Sequence, residues 1–321
     1  MTDDLLAHFP DGAVPRAEQV RVLEDLGAAL AEGRAEGETR VFVIEAPPGV
    51  GKSHLAMTLA RWSGDAYLLT SQKLLQDQYE REFGDALSLV KGRENYLCER
   101  YPPPARMTTA QGLCRRARGP MCQCPYARAK QAALHGAIFC TNTTYFLTLR
   151  QWQREQLRRR KLLVIDEAHN LESQLVRVFT VSFAPDQMKL WFGGALPRLP
   201  SAGDYRILFE DQVQRLDGEL SLIDRRLESL RPPLLADDLL TYPLTAEEQA
   251  LFEQRDHLES ALARLHFFLD AQDTEWIVRY GTDLAATLEL VPLSVGPMAA
   301  SLLWDAARSS SSRPRSWGGR K

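Results

Sequence analysis

Long apolar runs are missing from this sequence. Nowhere do its 321 residues hold the roughly 20 consecutive apolar positions that a membrane-spanning helix needs. The start, M-T-D-D-L-L, is acidic where a secretory leader is basic, so the expected location is cytoplasmic. Cysteine is scarce as well. Five residues, an odd number, cannot close into a complete disulfide framework, and here they read as reduced thiols or metal ligands. The C-x-x-C knuckle typical of zinc sites does not occur. The remaining absence is local: from Arg100 to Arg154 there is no Asp or Glu.

That acid-free window carries nine basic residues, Arg100, Arg106, Arg115, Arg116, Arg118, Arg128, Lys130, Arg150 and Arg154, in a chain of formal net charge −3. Positive charge is thus concentrated in one segment of an otherwise acidic protein. Tyr96, Tyr101, Tyr126, Tyr145, Phe146 and Trp152 are interleaved with it. Rings among cations are the combination that sequence-tolerant single-strand binding uses, with bases stacked and phosphates neutralised. The alternative is that the arginines neutralise thiolates and the rings belong to a core.

Two motifs carry hydrolytic chemistry. The β-branched run Arg40 to Glu45 (R-V-F-V-I-E) predicts a strand; A-P-P-G-V-G-K-S follows, and then H-L-A-M-T-L-A-R-W with helical apolar spacing. Strand, loop and helix are the context of a phosphate-binding loop, in which backbone N–H groups of Gly49, Val50 and Gly51 and the positive helix end converge on phosphates. Lys52 is placed to reach the β and γ phosphates and Ser53 to hold Mg²⁺; Ala46 stands where the strict pattern has glycine. Downstream, the apolar run Lys161 to Ile165 leads into Asp166-Glu167-Ala168-His169. At the carboxyl end of a parallel strand, Asp166 can orient Mg²⁺ through water and Glu167 can polarise the attacking water, with His169 completing the catalytic set.

Between these halves lie Cys98, Cys114, Cys122 and Cys124. Four thiolates hold either tetrahedral Zn²⁺ or an iron–sulfur cluster, and spacing alone does not choose. Residues 99 to 125 contain P-P-P and G-P and little hydrophobic periodicity, so a metal is expected to close the segment. Cys122 and Cys124 would crowd one another on an extended strand, which makes one of them a candidate bystander. Cys140, in the apolar run A-I-F-C-T-N, reads as a small buried hydrophobe.

D-E-A-H together with A-x-x-G-x-G-K-S resembles a superfamily 2 helicase. With the intervening cysteines, residues 15 to about 180 are similar to the DinG/XPD family of iron–sulfur DNA helicases. Further matches are P-R-A-E-Q at 15 to 19, Y-L-L-T at 67 to 70 followed by Gln72 to Gln78, K-G-R-E-N-Y-L-C at 91 to 98, C-P-Y at 124 to 126 and T-N-T-T-Y-F-L at 141 to 147. The resemblance implies an α/β fold with a RecA-like parallel-sheet motor domain, an inserted iron–sulfur module and an inserted helical, Arch-like domain. It implies ATP, Mg²⁺ and a [4Fe–4S] cluster as cofactors, Arg16 and Gln19 at the adenine, and Thr70 and Gln72 on the strand backbone. Arg115, Arg116, Arg118, Arg128 and Lys130 would lie against phosphates of single-stranded or forked DNA. By the same resemblance the activity is 5′ to 3′ unwinding in DNA repair or replication, and the protein is monomeric.

Val213, Leu216, Leu220, Ile223, Leu227 and Leu230 step by three and four, as do several leucines from Leu251 to Leu269, which predicts an antiparallel helical hairpin. The expected domains are a motor over 1–97 and 138–183 with 288–308 returning to it, a cysteine module over 98–137, a helical insertion over 184–287 and a Ser/Arg-rich tail over 309–321. No second motor domain follows, so the chain reads as a truncated half of a helicase with little turnover of its own. Competing readings are a non-motor ATP-gated binding module and a zinc-bound phosphate-loop hydrolase.

Overall fold

The computed structural model describes residues 4–32, 39–99, 108–110, 123–230, 245–281 and 287–307, without the side chains of Trp152 and Gln249. They divide into two compact units, one of residues 1–92, 126–174 and 298–321, the other of 93–125 and 175–297.

The first unit is built on β1 (Ala66–Thr70), whose five residues are all buried. A strand covered on both faces reads as a continuous apolar run rather than an alternating one, and A-Y-L-L-T does so. It pairs in parallel with β3 (Ile138–Asn142) on one side and β4 (Leu162–Ile165) on the other; β2 (Ser88–Leu89) pairs with β3, giving the order β2-β3-β1-β4. Parallel strands need crossovers, and helices supply them. On one face Ala66 and Leu68 pack with Met57 and Ala60 of α2 (Lys52–Ser63) and with Tyr79 and Phe83 of α3 (Lys73–Phe83). On the other, Tyr67 meets Phe139 and, from α5 (Thr143–Trp152), Phe146, with ring centroids 5.5 and 4.9 Å away. Each such fully buried ring or leucine contributes about 1.5–3 kcal/mol. Helix α1 (Ala17–Ala31) sets Leu23 and Leu26 against Leu55 of α2.

One expected strand does not form. Residues 40–45 join no ladder, and Val41 and Val43 are 70% and 88% exposed. A β-branched run becomes a strand only where a neighbour offers its hydrogen-bonding edge; among the described residues the sheet ends at β4.

Buried arginines tie the sheet to the rest of this unit. Arg160, just before β4, donates to Gly136 O at 2.6 Å, Ala137 O at 2.8 Å and Ala133 O at 3.1 Å, the end of α4 (Pro125–His135), and pairs with Asp65 at 3.2 Å. After α10 (Gly296–Leu302) the chain places Asp305 among Arg154, Arg159 and Arg150 at 2.7, 3.0 and 3.7 Å. Arg150 is itself buried and also donates to Leu302 O and Ser301 O. Two of the nine cations in the acid-free window are therefore neutralised internally, contrary to a purely strand-binding role. The acid that serves them lies some 150 positions away in sequence, which a local charge count misses.

The second unit holds α6 (Leu171–Phe179) from Leu175 onward, α7 (Pro185–Phe192), the paired helices α8 (Ala202–Leu230) and α9 (Ala246–Asp270), and an antiparallel sheet. Its order is β5-β7-β6, from β5 (Val181–Phe183), β6 (Trp276–Tyr280) and β7 (Leu288–Pro292). Leu216, Ile223, Leu258, Leu262 and Leu265 are buried at the three-and-four spacing of a packed helix pair. The break R-P-P-L-L lies outside the described residues. L-E-L-V-P, expected to rejoin the motor domain, instead pairs antiparallel with β5 and β6 in this unit. The hydroxyls of Tyr205 and Tyr280 lie 2.7 Å apart, joining α8 to β6.

Replacing Asp305 with Ala leaves buried Arg150 without its carboxylate. Urea unfolding is expected to show a loss of about 3 kcal/mol, the scale for breaking one side of a buried ion pair; a loss within 0.5 kcal/mol, the ordinary scale for surface changes, would remove this anchor from the account.

Candidate active site

The carboxyl ends of β1 and β4 and the start of α2 bring the two sequence motifs together. Gly49 and Gly51 hold φ of 83° and 87°, the left-handed region that glycine enters without steric cost. Gly51 caps α2, and no side chain closes that helix end, so it presents backbone N–H groups and the positive end of the helix dipole to an anion. Two residues of α1 and its cap hold the loop from outside. Arg16 donates to Gly49 O, and the Gln19 amide donates to Gly51 O at 3.1 Å while accepting Arg16 N–H at 2.8 Å. Both residues chosen for adenine recognition thus brace the loop backbone, and Gln19 is buried.

Lys52 Nζ lies 3.4 Å from Ala46 O and 3.4 Å from Glu167 Oε1. An ammonium has three donors, so this pairing leaves capacity for phosphate oxygens. Glu167 is the one non-glycine residue with positive φ (53°) among the described residues. Such a conformation costs about 1–3 kcal/mol and is found where a site fixes it. It directs the carboxylate between Lys52 and His169, whose Nδ1 is 3.1 Å from Glu167 Oε2; His169 Nε2 is 2.9 Å from Asn170 Nδ2. Asp166 donates its N–H to Leu69 O of β1 at 2.8 Å and accepts the Glu167 N–H at Oδ1 and the Tyr79 hydroxyl at Oδ2, both at 3.0 Å. Burial pushes the Asp166 carboxyl above the usual carboxylate range.

This donor set fits a Mg²⁺–nucleotide in its chemistry: an open helix terminus and glycine loop for phosphates, a lysine beside them, two carboxylates, and the Ser53 hydroxyl in the first turn of α2 as a further oxygen donor. Val50 lies in the loop between the two glycines. Of the expected strand contacts, Gln72 is exposed, whereas Thr70 is buried with its hydroxyl donating to Gln72 O at 3.2 Å. The Thr70 side chain is therefore spent on the turn rather than offered to a ligand. Arg128 is exposed, and Lys130 is engaged by Gln153 and Gln156. Tyr126 and Phe146 are buried, and the Tyr126 hydroxyl meets that of Tyr145 at 2.7 Å, so these two faces are core rather than stacking platforms.

Cys98 and Cys124 are buried, while Cys114, Cys122, Arg115, Arg116 and Arg118 lie outside the described residues. Among the described residues no three His, Cys, Asp or Glu side chains come together to hold a metal ion, and two of the four cysteines are not among them. Cys140 is fully buried on β3, and burial pushes its thiol up to about 12. The residue that sequence reasoning missed is Tyr79, for which the only sequence signal is its place one helical face from Gln76 on an amphipathic helix.

Residues 13–198 match the family model described as Type III restriction enzyme, res subunit (ResIII), a helicase superfamily 2 motor. No curated protein matches the chain. No helix among the described residues is long and apolar enough to cross a membrane.

A Cβ at Gly51 would sit 2.4 Å from Gln19 Nε2, on a backbone that already disfavours side chains. Gly51→Ala is expected to lower stability by about 1–3 kcal/mol in urea unfolding, and Gln19→Ala in the same chain to restore part of it. An unchanged unfolding midpoint for Gly51→Ala would show that the loop conformation is not held as described.

Proposed function

This chain belongs to the Type III restriction enzyme, res subunit family of helicase superfamily 2 motors, and from that premise we propose that it is a nucleic-acid-dependent ATPase of helicase type. The observation that carries the reading is the convergence of Lys52, Asp166 and Glu167 at the carboxyl ends of the parallel sheet beside an open helix terminus. In it, the loop N–H groups and Lys52 bind the β and γ phosphates, Ser53 and Asp166 would hold Mg²⁺, and Glu167 orients the attacking water. Mg²⁺, when bound, neutralises charge that develops on the phosphate oxygens. His169, with Nδ1 3.1 Å from Glu167 Oε2, lies beside that carboxylate.

The finer reading is a DinG/XPD-type helicase that tracks single-stranded DNA 5′ to 3′. It is supported by the order of short motifs from residue 15 to about 180 and by the acid-free basic window. Gln72 and Arg128 are its exposed candidate strand contacts, with Arg115, Arg116, Arg118 and Lys130 from the same window. Cys98, Cys114, Cys122 and Cys124 are proposed ligands of a [4Fe–4S] cluster, which would supply structural closure of a proline-rich segment.

Lys52→Ala is expected to weaken ATP binding about ten- to hundredfold, the worth of a hydrogen bond to a charged group, measured with a fluorescent ATP analogue. ATP hydrolysis is expected to rise with added single-stranded DNA and to lose that stimulation at high salt; hydrolysis that is unaffected by both strand and salt would sink the helicase reading. Anaerobically purified protein should absorb in the visible and contain about four iron and four sulfide per chain. A colourless protein with one zinc would replace the cluster by a zinc site.

A further inference from the structure

Tyr79 belongs to neither motif, yet among the described residues it makes the one side-chain hydrogen bond to the Asp166 carboxylate from another element, Oη to Oδ2 at 3.0 Å. Its ring is 1% exposed, packed among Ala56, Leu68, Phe83 and Ile138. The helix that carries it is fixed independently. Gln76 donates to Val90 O at 3.2 Å and accepts from Asn142 at 3.1 Å, and Lys91 pairs with Asp77 and Glu80 at 2.6 Å each. The hydroxyl therefore approaches Asp166 from a rigid platform. The Asp166 backbone is held by Leu69 O and its Oδ1 by the Glu167 N–H, so the Tyr79 bond completes the fixing of the carboxylate plane.

We propose that Tyr79 is a positioning residue for the Mg²⁺ site: its hydroxyl holds the Asp166 carboxylate in the orientation in which it meets the metal's water shell. The inference rests on the nucleotide-site reading above. Mg²⁺ demands near-ideal octahedral geometry, so a carboxylate free to rotate binds it less well. Outer-shell partners of this kind are worth about 10–100-fold in metal affinity. A tyrosine kept only for packing would be replaceable by phenylalanine with no effect on metal binding.

Tyr79→Phe keeps the ring and removes the hydroxyl. Binding of a fluorescent ATP analogue to metal-stripped protein, titrated with Mg²⁺, is expected to show a half-saturation concentration raised about tenfold, with metal-free nucleotide affinity unchanged. An unchanged Mg²⁺ midpoint in Tyr79→Phe, with wild-type nucleotide binding intact, overturns the role of Tyr79 alone. Wild-type protein that binds no nucleotide overturns the site reading and this inference with it. Adding Tyr79→Phe to Asp166→Asn should produce no further shift, because the hydroxyl acts through that carboxylate; an additive shift also overturns the assignment. Thermal unfolding of each variant separates these outcomes from loss of fold.

Discussion

β1 leaves none of its five residues to solvent and is hydrogen-bonded along both edges, and the candidate site depends on that double burial. A strand so enclosed cannot slip register without driving its apolar side chains out of two cores at once. Because β1 is fixed, Leu69 O is fixed, and through it the backbone of Asp166. The same strand aligns β4, so that the D-E-A-H run leaves the sheet beside the loop that opens α2. Chemistry at the carboxyl ends of parallel strands follows from this geometry: the strands point one way and their carboxyl ends open onto one edge.

Charge plays two separate parts around that frame. At the site, the partly exposed pair of Lys52 and Glu167 can exchange partners when an anion and a cation arrive, whereas the buried Tyr79 hydroxyl holds Asp166 in place. Away from it, Arg160 and the Asp305 cluster are closed arrangements whose donors end on backbone carbonyls or buried carboxylates. These hold α4, β4 and the segment after α10 in one unit. Composition alone does not reveal the closed arrangements, since Arg150 and Arg154 lie in the acid-free window and the acid they meet, Asp305, lies far downstream.

Much of the site was legible in the sequence because each motif is local. A glycine at positive φ, a lysine at the head of a helix and an Asp-Glu pair after an apolar run are set by neighbours within a few residues. The helix pair was legible for the same reason, since its three-and-four spacing reports the buried face directly. The run at 40–45 misled because an apolar β-branched segment states a preference for a ladder without providing one. The antiparallel sheet was missed as a sheet because β5 is short and pairs with β7 from far upstream in sequence, across the whole helix pair.

The sequence by itself therefore determined the glycine loop with its lysine, the Asp-Glu pair after an apolar strand, the α/β class and the helix pair, each marked by a pattern within about one turn or one strand. Tertiary structure alone decided that Arg150 and Arg154 serve Asp305, that Thr70 and the Tyr126 ring are internal, and that Gln19 and Arg16 brace the loop. It also decided that a phenol from α3 reaches Asp166, 87 positions away in sequence. The reason is common to all of them: each is a pairing of polar groups across the fold, and the need to satisfy a buried donor or acceptor is expressed only when packing brings the partners together.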